Sequence, residues 1–114
     1  MTTRRQERVA DLLQEEISDL LQRKVRDPRL EFVTVTAVKV SHDLRHARVY
    51  VSHLGSEEEQ QAALAGLQHA AGFLRHELRA RLSLRRVPEL TFVLDESIER
   101  GQRILELLHQ IEGS

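Results

Sequence analysis

Hydrophobic and polar positions follow a helical period at the start of the chain and change to a strand-like pattern after residue 30. Apolar residues recur every three or four positions over residues 9–25, which predicts an amphipathic helix with one apolar stripe. This helix should end near Arg26, because Pro28 disfavours helical geometry in the residue before it and cannot donate to the hydrogen-bond ladder. Residues 32–40 are dense in β-branched side chains and predict a strand.

Two further segments predict strands. Residues 45–54 alternate between apolar and polar positions, as a strand with one buried face does. The intervening residues 41–44 supply side chains that bond their own backbone, which predicts an antiparallel hairpin. A third alternating segment, residues 89–95, begins directly after Pro88.

A long second helix is predicted between the second and third strands. Ser56 and Glu59 have the spacing of a capping box, and an apolar stripe then runs to residue 82. Gly72 lies in the middle of this helix, where glycine costs about 1 kcal/mol relative to alanine. We therefore predict a kink at this position. In a straight helix Phe73 would face away from the apolar stripe, and a kink would turn it inward. The predicted kink consists of Ala70, Ala71 and Gly72.

The element order is helix, strand, strand, kinked helix and strand, followed by a short C-terminal helix that begins at Asp95 or Ser97. A right-handed crossover must connect the second strand to the third. The pattern therefore predicts an α+β fold, with a three-stranded sheet and helices on one face. No linker or repeat interrupts the chain, and we predict one domain over residues 1–114. This is the layout of a type II K homology-like domain.

K homology domains clamp a short nucleic-acid backbone beside a GXXG loop between two helices. At the equivalent place this chain has residues 69–73, HAAGF, which lack a second glycine and any lysine or arginine. This difference predicts contact with RNA through a surface and not by threading a single strand. The chain has one tyrosine, three phenylalanines and no tryptophan, so base stacking should be a minor contribution.

Composition narrows the class of protein. The chain has 114 residues, 40% of them hydrophobic and 31% charged, which is enough for one buried core. The absence of cysteine excludes disulfides, thiolate metal sites and cysteine nucleophiles, and fits a cytoplasmic location. No apolar run approaches the roughly 20 residues that span a bilayer, and no apolar signal core follows the N-terminus. We therefore expect a protein that is neither secreted, membrane-spanning nor disordered.

None of the candidate catalytic or metal-binding residues forms a known motif. His42 and His46 flank the hairpin turn, and His69 and His76 lie on one helix without the i, i+4 spacing of a zinc site. Paired carboxylates fall where helix caps and solvated helix faces place them, and no glycine-rich phosphate loop occurs. We predict no enzyme activity, no metal and no cofactor.

The net charge of −1 conceals an uneven distribution. Residues 69–86 carry five arginines against one acid, whereas residues 95–112 carry five acids against two arginines. A local positive stripe attracts phosphate, and the planar guanidinium fork suits bidentate hydrogen bonds to it. We predict that this stripe and the start of the first helix bind RNA, through Arg4, Arg5, Arg8, Arg75, Arg79, Arg81, Arg85 and Arg86.

Structural roles are an alternative for several of these residues. An arginine-rich helix face is often only solvated, and Arg85 and Arg86 have two glutamates nearby, at positions 89 and 96, as alternative partners. We expect Asp27 and Arg29 to fix the loop after the first helix without touching RNA.

Seven blocks of the sequence together resemble one known family. They are DPRL (27–30), VTVT (33–36), SHDL (41–44), ARVYV (47–51), AAGFLR (70–75), LRRVPEL (84–90) and DESIERG (95–101). They occur in this order over nearly the whole chain, and the set resembles ribosome-binding factor A.

The resemblance implies a cytoplasmic bacterial factor that binds the 30S ribosomal subunit and its 16S rRNA. Such a factor assists late subunit maturation and 16S rRNA processing, often in cold adaptation, without catalysing cleavage. In this family an Ala-x-Gly kink replaces the GXXG loop. We expect a monomer with no membrane and no small-molecule substrate among its partners. The first alternative is a protein-interaction adaptor that docks a partner through its N-terminal helix and binds no RNA; a ribonuclease is the second.

Overall fold

The computed structural model describes residues 2–96. Their elements in chain order are α1 (Arg4–Arg23), a 3-10 turn (Pro28–Leu30), β1 (Thr34–Val40), β2 (His46–Ser52), α2 (Glu57–Arg81) and β3 (Glu89–Leu94). This order confirms the prediction as far as β3, and each strand is slightly shorter than predicted. The predicted C-terminal helix lies outside the described residues.

A capping box that the sequence pattern did not reveal begins α1. Thr3 Oγ1 accepts a hydrogen bond from the Gln6 backbone N–H at 3.2 Å, and Gln6 Oε1 accepts one from the Thr3 N–H at 2.9 Å. These bonds satisfy two of the amide donors that a helix start leaves free. The Gln6 side chain is buried, and its Nε2 donates to the Val40 carbonyl oxygen at 2.9 Å. The start of α1 is therefore attached to the end of β1.

The loop after α1 is fixed by one ion pair. α1 ends at Arg23, earlier than the predicted Arg26, because the next two amides both donate to the Leu20 carbonyl oxygen, at 2.9 and 3.1 Å. Asp27 then caps the 3-10 turn, accepting from the Arg29 backbone N–H at 3.0 Å and from Arg29 Nη2 at 2.7 Å. These hydrogen bonds lower the pKa of Asp27. The prediction that Asp27 and Arg29 fix this loop is confirmed.

The three strands form one sheet in the order β1-β2-β3. β1 and β2 pair antiparallel, which confirms the predicted hairpin, and β2 and β3 pair parallel across the α2 crossover. In the register of the sheet, Val49 on the central strand lies opposite Val38 and Phe92. The pairing shifts between Val35 and Ala37, where β1 carries a bulge.

Both helices cover the same face of this sheet. α1 packs against β1, α2 packs against β3, and the two helices contact each other. The alternating residues Ala47, Val49 and Val51 of β2 are buried beneath them, whereas Arg48 on the other face is exposed. The predicted α+β fold with helices on one face is thereby confirmed, and the opposite face of the sheet lacks a helix within residues 2–96.

α2 begins as predicted but does not break where predicted. The capping box of Ser56 and Glu59 is present. The helix then continues without interruption through Ala70, Ala71 and Gly72, and Phe73 remains 42% exposed. The helix is therefore unbroken and the predicted inward turn of the Phe73 ring is wrong, whereas the kink at residues 70–72 stays a prediction. The buried leucines of α2 stabilise the continuous helix by more than the roughly 1 kcal/mol that an interior glycine costs.

The glycine that packing requires in α2 is Gly66, one that the sequence pattern gave no reason to select. A Cβ atom at Gly66 would lie 3.1 Å from Asp27 Oδ2 and 3.1 Å from Leu30 Cδ2. A Cβ atom at Gly72 would meet nothing within 4 Å. The helix thus approaches the 3-10 turn closely at Gly66, and Gly72 faces open space.

Candidate nucleic-acid interface

Several arginines meet at one edge of the sheet, where β1 ends and β2 and β3 begin. The register places Ala47 of β2 between Val40 and Leu90 at this edge. The hydrogen bond from Gln6 to Val40 brings the start of α1 to the same place. The loop after α2 also arrives here, because it leads directly into β3. We call the exposed arginines of these segments the cationic edge: Arg4, Arg5, Arg8, Arg45, Arg85 and Arg86.

Arg85 and Arg86 are the exposed part of a loop that is otherwise anchored. Val87 and Pro88, which follow them, are buried, and the Glu89 N–H donates to the Arg45 carbonyl oxygen at 2.8 Å. Within residues 2–96 neither guanidinium group forms an ion pair. The alternative of pairing with Glu89 is not observed, because that carboxylate instead lies 3.7 Å from His46 Nδ1.

The start of α1 contributes three more cations. Arg4, Arg5 and Arg8 are exposed and have no ion pair in the part of the chain that the structure describes. Gln6 lies among them and is buried against the sheet, so it fixes the orientation of this turn of the helix. The sequence predicts that these arginines bind RNA together with Arg85 and Arg86, and the topology brings both groups to one edge of the sheet.

Arg75 does not belong to this exposed group. Its Nη2 donates to the Val87 carbonyl oxygen at 3.2 Å, and its Nε is buried without a hydrogen-bond partner. The guanidinium group thus connects α2 to the loop before β3. Arg79, another of the predicted RNA-binding arginines, lies one turn further along α2 and is exposed.

Arg81 is also turned away from the cationic edge. Its Nη1 lies 3.0 Å from Glu16 Oε2 and 2.7 Å from Asp19 Oδ2. Both of these carboxylates belong to α1. Hydrogen bonding from Arg81 lowers the pKa of Asp19, and the same bonds raise the pKa of Arg81. The sequence alone gave no sign of this pairing, because the three residues are far apart in the chain. Arg81 connects the two helices.

The hairpin turn supplies a cation that the sequence analysis missed. Ser41 Oγ donates to Asp43 Oδ1 at 2.6 Å, and that oxygen accepts the Arg45 N–H at 3.1 Å. These bonds lower the pKa of Asp43 and hold the turn, in which Leu44 adopts a φ of 61°. Arg45 is exposed beside the loop of Arg85. The predicted parallel crossover was the signal available, because it places the start of β3 next to this turn.

The opposite edge of the sheet has a different character. An open groove of about 1010 Å³ lies between the end of α1, the 3-10 turn and the end of β2. Two apolar side chains on its rim are largely exposed, Phe32 at 69% and Leu54 at 81%, and Phe32 stacks edge-on against His53. Asp27, in the wall of this groove, is already paired with Arg29. The rim of this groove is thus partly apolar, whereas the cationic edge is formed by exposed arginines.

Neither a metal cluster nor a membrane span occurs in the described part of the chain. Between residues 2 and 96, no three histidine, cysteine, aspartate or glutamate side chains converge as a metal ion requires. No helix in that range is both long enough and apolar enough to cross a bilayer.

Comparison with known proteins gives a consistent result. The family model described as ribosome-binding factor A matches residues 5–108. Ribosome-binding factor A of Thermomicrobium roseum is 52% identical over 112 residues, which cover 98% of this chain and 87% of that protein. The crystal structure of ribosome-binding factor A from Thermus thermophilus is 32% identical, with a TM-score of 0.70 over 78% of this chain and 94% of that chain.

One structural relative comes from a complex. It is the homology model of the Thermus thermophilus ribosome binding factor A as fitted into the cryo-EM map of a complex with 30S. It is 33% identical, with a TM-score of 0.65, and the match covers 76% of this chain and 91% of that chain.

Proposed function

Because this chain belongs to the ribosome-binding factor A family, we propose that it binds the 30S ribosomal subunit and contacts 16S rRNA through the cationic edge. The relative fitted into the map of a 30S complex supports the choice of partner. The observation that carries the choice of surface is the set of exposed arginines, brought to one edge from separate segments of the chain. Arg85 and Arg86 belong to this set and have no ion pairs within residues 2–96.

The chemistry of these side chains fits phosphate. Each guanidinium group offers a planar fork of donors, which matches two oxygens of a phosphate group and distinguishes arginine from lysine. The acids Glu7, Asp43 and Glu89 lie at the same edge but are fewer, and Asp43 is already bonded within the hairpin turn. A net positive edge of this kind recognises the spatial arrangement of phosphates in folded RNA and does not read bases.

We propose a non-catalytic role in subunit maturation. The factor acts as a placeholder, which stabilises an immature arrangement of 16S rRNA and is displaced when the mature one forms. In this way it supports 16S rRNA processing in the cytoplasm, as a monomer, without cutting RNA itself. Purified protein incubated with precursor rRNA should leave the RNA intact, and cleavage by the protein alone would contradict this role.

The N-terminal helix does not favour the alternative of a protein adaptor. Docking a partner through α1 would require its apolar stripe to be accessible. Val9, Leu13, Ile17 and Leu20 of that stripe are all buried against the sheet and α2. Only Leu12, at 37% exposed, is a large apolar side chain of α1 that reaches solvent among the described residues.

Co-sedimentation with purified 30S subunits at increasing salt concentration tests the proposed function. If about four phosphates are neutralised, the logarithm of the affinity should fall against the logarithm of the salt concentration with a slope near −3. Arg85→Gln combined with Arg86→Gln should weaken binding and reduce the slope by about one unit for each lost contact.

The matched control removes the same charge from the other end of the molecule. Arg23→Gln combined with Arg26→Gln changes two exposed arginines: Arg23, the last residue of α1, which pairs with Asp19, and Arg26, in the wall of the groove. This variant should bind subunits as the unmodified chain does. A salt-independent affinity, or equal losses in the two double variants, would remove the cationic edge from the mechanism.

A further inference from the structure

The face of the sheet that α1 and α2 leave uncovered within residues 2–96 carries a small cluster of polar side chains. Lys39, Arg48 and Thr91 lie opposite one another on the three strands, in a single row across the sheet. All three are exposed. Tyr50 lies two residues beyond Arg48 on the same face of β2 and is half-buried. We call Lys39, Arg48, Tyr50 and Thr91 the open face.

The row contains two like charges directly opposite each other. Lys39 pairs with Arg48 in the antiparallel register, and such a pair destabilises a sheet when no anion compensates it. Neither cation has an ion pair within residues 2–96. The repulsion between these two cations lowers the stability of the free chain, and a bound anion would remove that repulsion.

The acids of this face are engaged at its two ends. Glu89 lies 3.7 Å from His46 Nδ1 at the start of the strands. Asp95 Oδ2 accepts a hydrogen bond from Thr36 Oγ1 at 2.6 Å at the other end. The middle of the open face therefore presents positive charge beside an aromatic ring. Lys39 Nζ lies 5.7 Å from the centre of the Tyr50 ring.

We propose that the open face binds a short segment of single-stranded RNA, with one base stacked on Tyr50 and the adjacent phosphate held between Lys39 and Arg48. The ligand must be single-stranded, because only an unstacked base offers a face to the ring. Lys39 would leave the ring and turn to the phosphate, which is possible because an exposed cation–π contact is weaker than base stacking. With one aromatic residue the site is tolerant of sequence.

This inference deepens the proposed function, on which it rests for ribosomal RNA as the source of the strand. The two sites are separate: the cationic edge lies where the strands begin and end, whereas the open face lies on the flat of the sheet. The folded part of the rRNA would lie against the edge. An unpaired strand nearby would cross the sheet.

Tyr50 makes the site directly observable. It is the one tyrosine of a chain without tryptophan, so the intrinsic fluorescence of the protein comes from this ring. Titration with hexauridylate should quench the fluorescence, because a base stacks on it. Polarisation of a labelled hexauridylate should show Tyr50→Leu binding weaker by about fivefold or more, whereas Tyr50→Phe retains the affinity. Lys39→Gln combined with Arg48→Gln should reduce the salt slope by about one unit per lost contact.

The controls separate this site from the cationic edge. Arg23→Gln combined with Arg26→Gln should bind the oligonucleotide unchanged, and Arg85→Gln combined with Arg86→Gln should retain the quenching of Tyr50 at saturating hexauridylate. Circular dichroism of the lysine and arginine variants should match the unmodified chain, because the substituted cations are exposed.

Three results would overturn the inference. They are an absence of quenching, equal affinity of Tyr50→Leu and the unmodified chain for hexauridylate, and equal quenching by hexaglutamate, which would indicate an acidic peptide as the ligand. If hexauridylate binding depends instead on Arg85 and Arg86, the open face fails as a site while the proposed function stands. If subunit binding survives loss of Arg85 and Arg86, the proposed surface fails independently of this result.

Discussion

The two halves of α2 use similar residues for different purposes. In the first half, Gly66 lies against the 3-10 turn, and its missing side chain is what permits the close approach. In the second half, Gly72 faces open space, and the contacts are made by long side chains. Arg75 reaches the loop before β3, and Arg81 reaches α1. Both halves bury leucines in the core; beyond these, the first half adds a close backbone contact and the second half adds contacts made by guanidinium groups.

The comparison shows that residue type does not assign a role within this helix. The role of each residue depends on which part of the fold lies next to it. Gly66 and Gly72 look alike in the sequence, as do Arg75, Arg79 and Arg81. Substitutions in the two halves should therefore have effects of different size and sign.

The largest effect is expected at Gly66. Gly66→Val should lower the free energy of unfolding by about 1–3 kcal/mol, because its side chain would overpack the contact with Asp27 and Leu30. Neither neighbour moves easily, since Leu30 is buried and Asp27 is held by Arg29. Urea denaturation measures the change. Valine forms helix better than glycine, so a loss of stability cannot come from helix propensity.

The same substitution in the other half is the matched control. Gly72→Val places a side chain in open space and should not destabilise the protein. Equal losses at Gly66 and Gly72 would mean that the close approach at Gly66 does not limit the helix.

Arg75 is expected to give the next largest effect. Arg75→Ala should lower the free energy of unfolding by about 1–2 kcal/mol, because the carbonyl oxygen of Val87, a buried residue, loses its charged donor. Arg79→Ala, one turn away and exposed, should change stability by less than about 0.5 kcal/mol. Thermal or urea unfolding of the two variants distinguishes a hydrogen bond that stabilises the fold from a surface charge. Similar losses of stability in both variants would exclude a stabilising role for the Arg75 hydrogen bond.

Gly72→Ala should have a smaller effect of the opposite sign. Alanine fits the helical backbone without contact, so the free energy of unfolding should rise by about 0.5–1 kcal/mol. Urea denaturation again measures it. A loss of stability would instead show that Gly72 has a backbone requirement, as the predicted kink supposed.

The sequence was informative where local chemistry decides the structure. The capping box of Ser56, the hairpin and the parallel crossover follow from short-range patterns, and all are confirmed. α2 continues without a break at Gly72 because the cost of one interior glycine is small beside the burial of the surrounding leucines. The sequence predicted the arginine stripe but not the ion pairs of Arg81, because those ion pairs depend on how α1 and α2 pack. Contacts between distant segments carry no signal in a single sequence.

The smallest effect is expected at Arg81 and appears as a pH dependence. Arg81 holds the pKa of Asp19 below its ordinary value by hydrogen bonding, so the pair stabilises the fold when Asp19 is ionised. A lowered pKa gives stability that is present above the ordinary aspartate pKa, about 3.9, and is lost as the pH falls through the lower value of the folded state. Arg81→Gln should therefore be less stable than the unmodified chain at pH 7, and this difference in stability should disappear in acid.

Arg79→Gln removes the same charge without an ion pair within residues 2–96, and its difference in stability from the unmodified chain should not change with pH. Urea midpoints of the three proteins between pH 7 and pH 3 make the comparison, and a gap that is independent of pH would show that Arg81 acts through packing and not through its carboxylate partners.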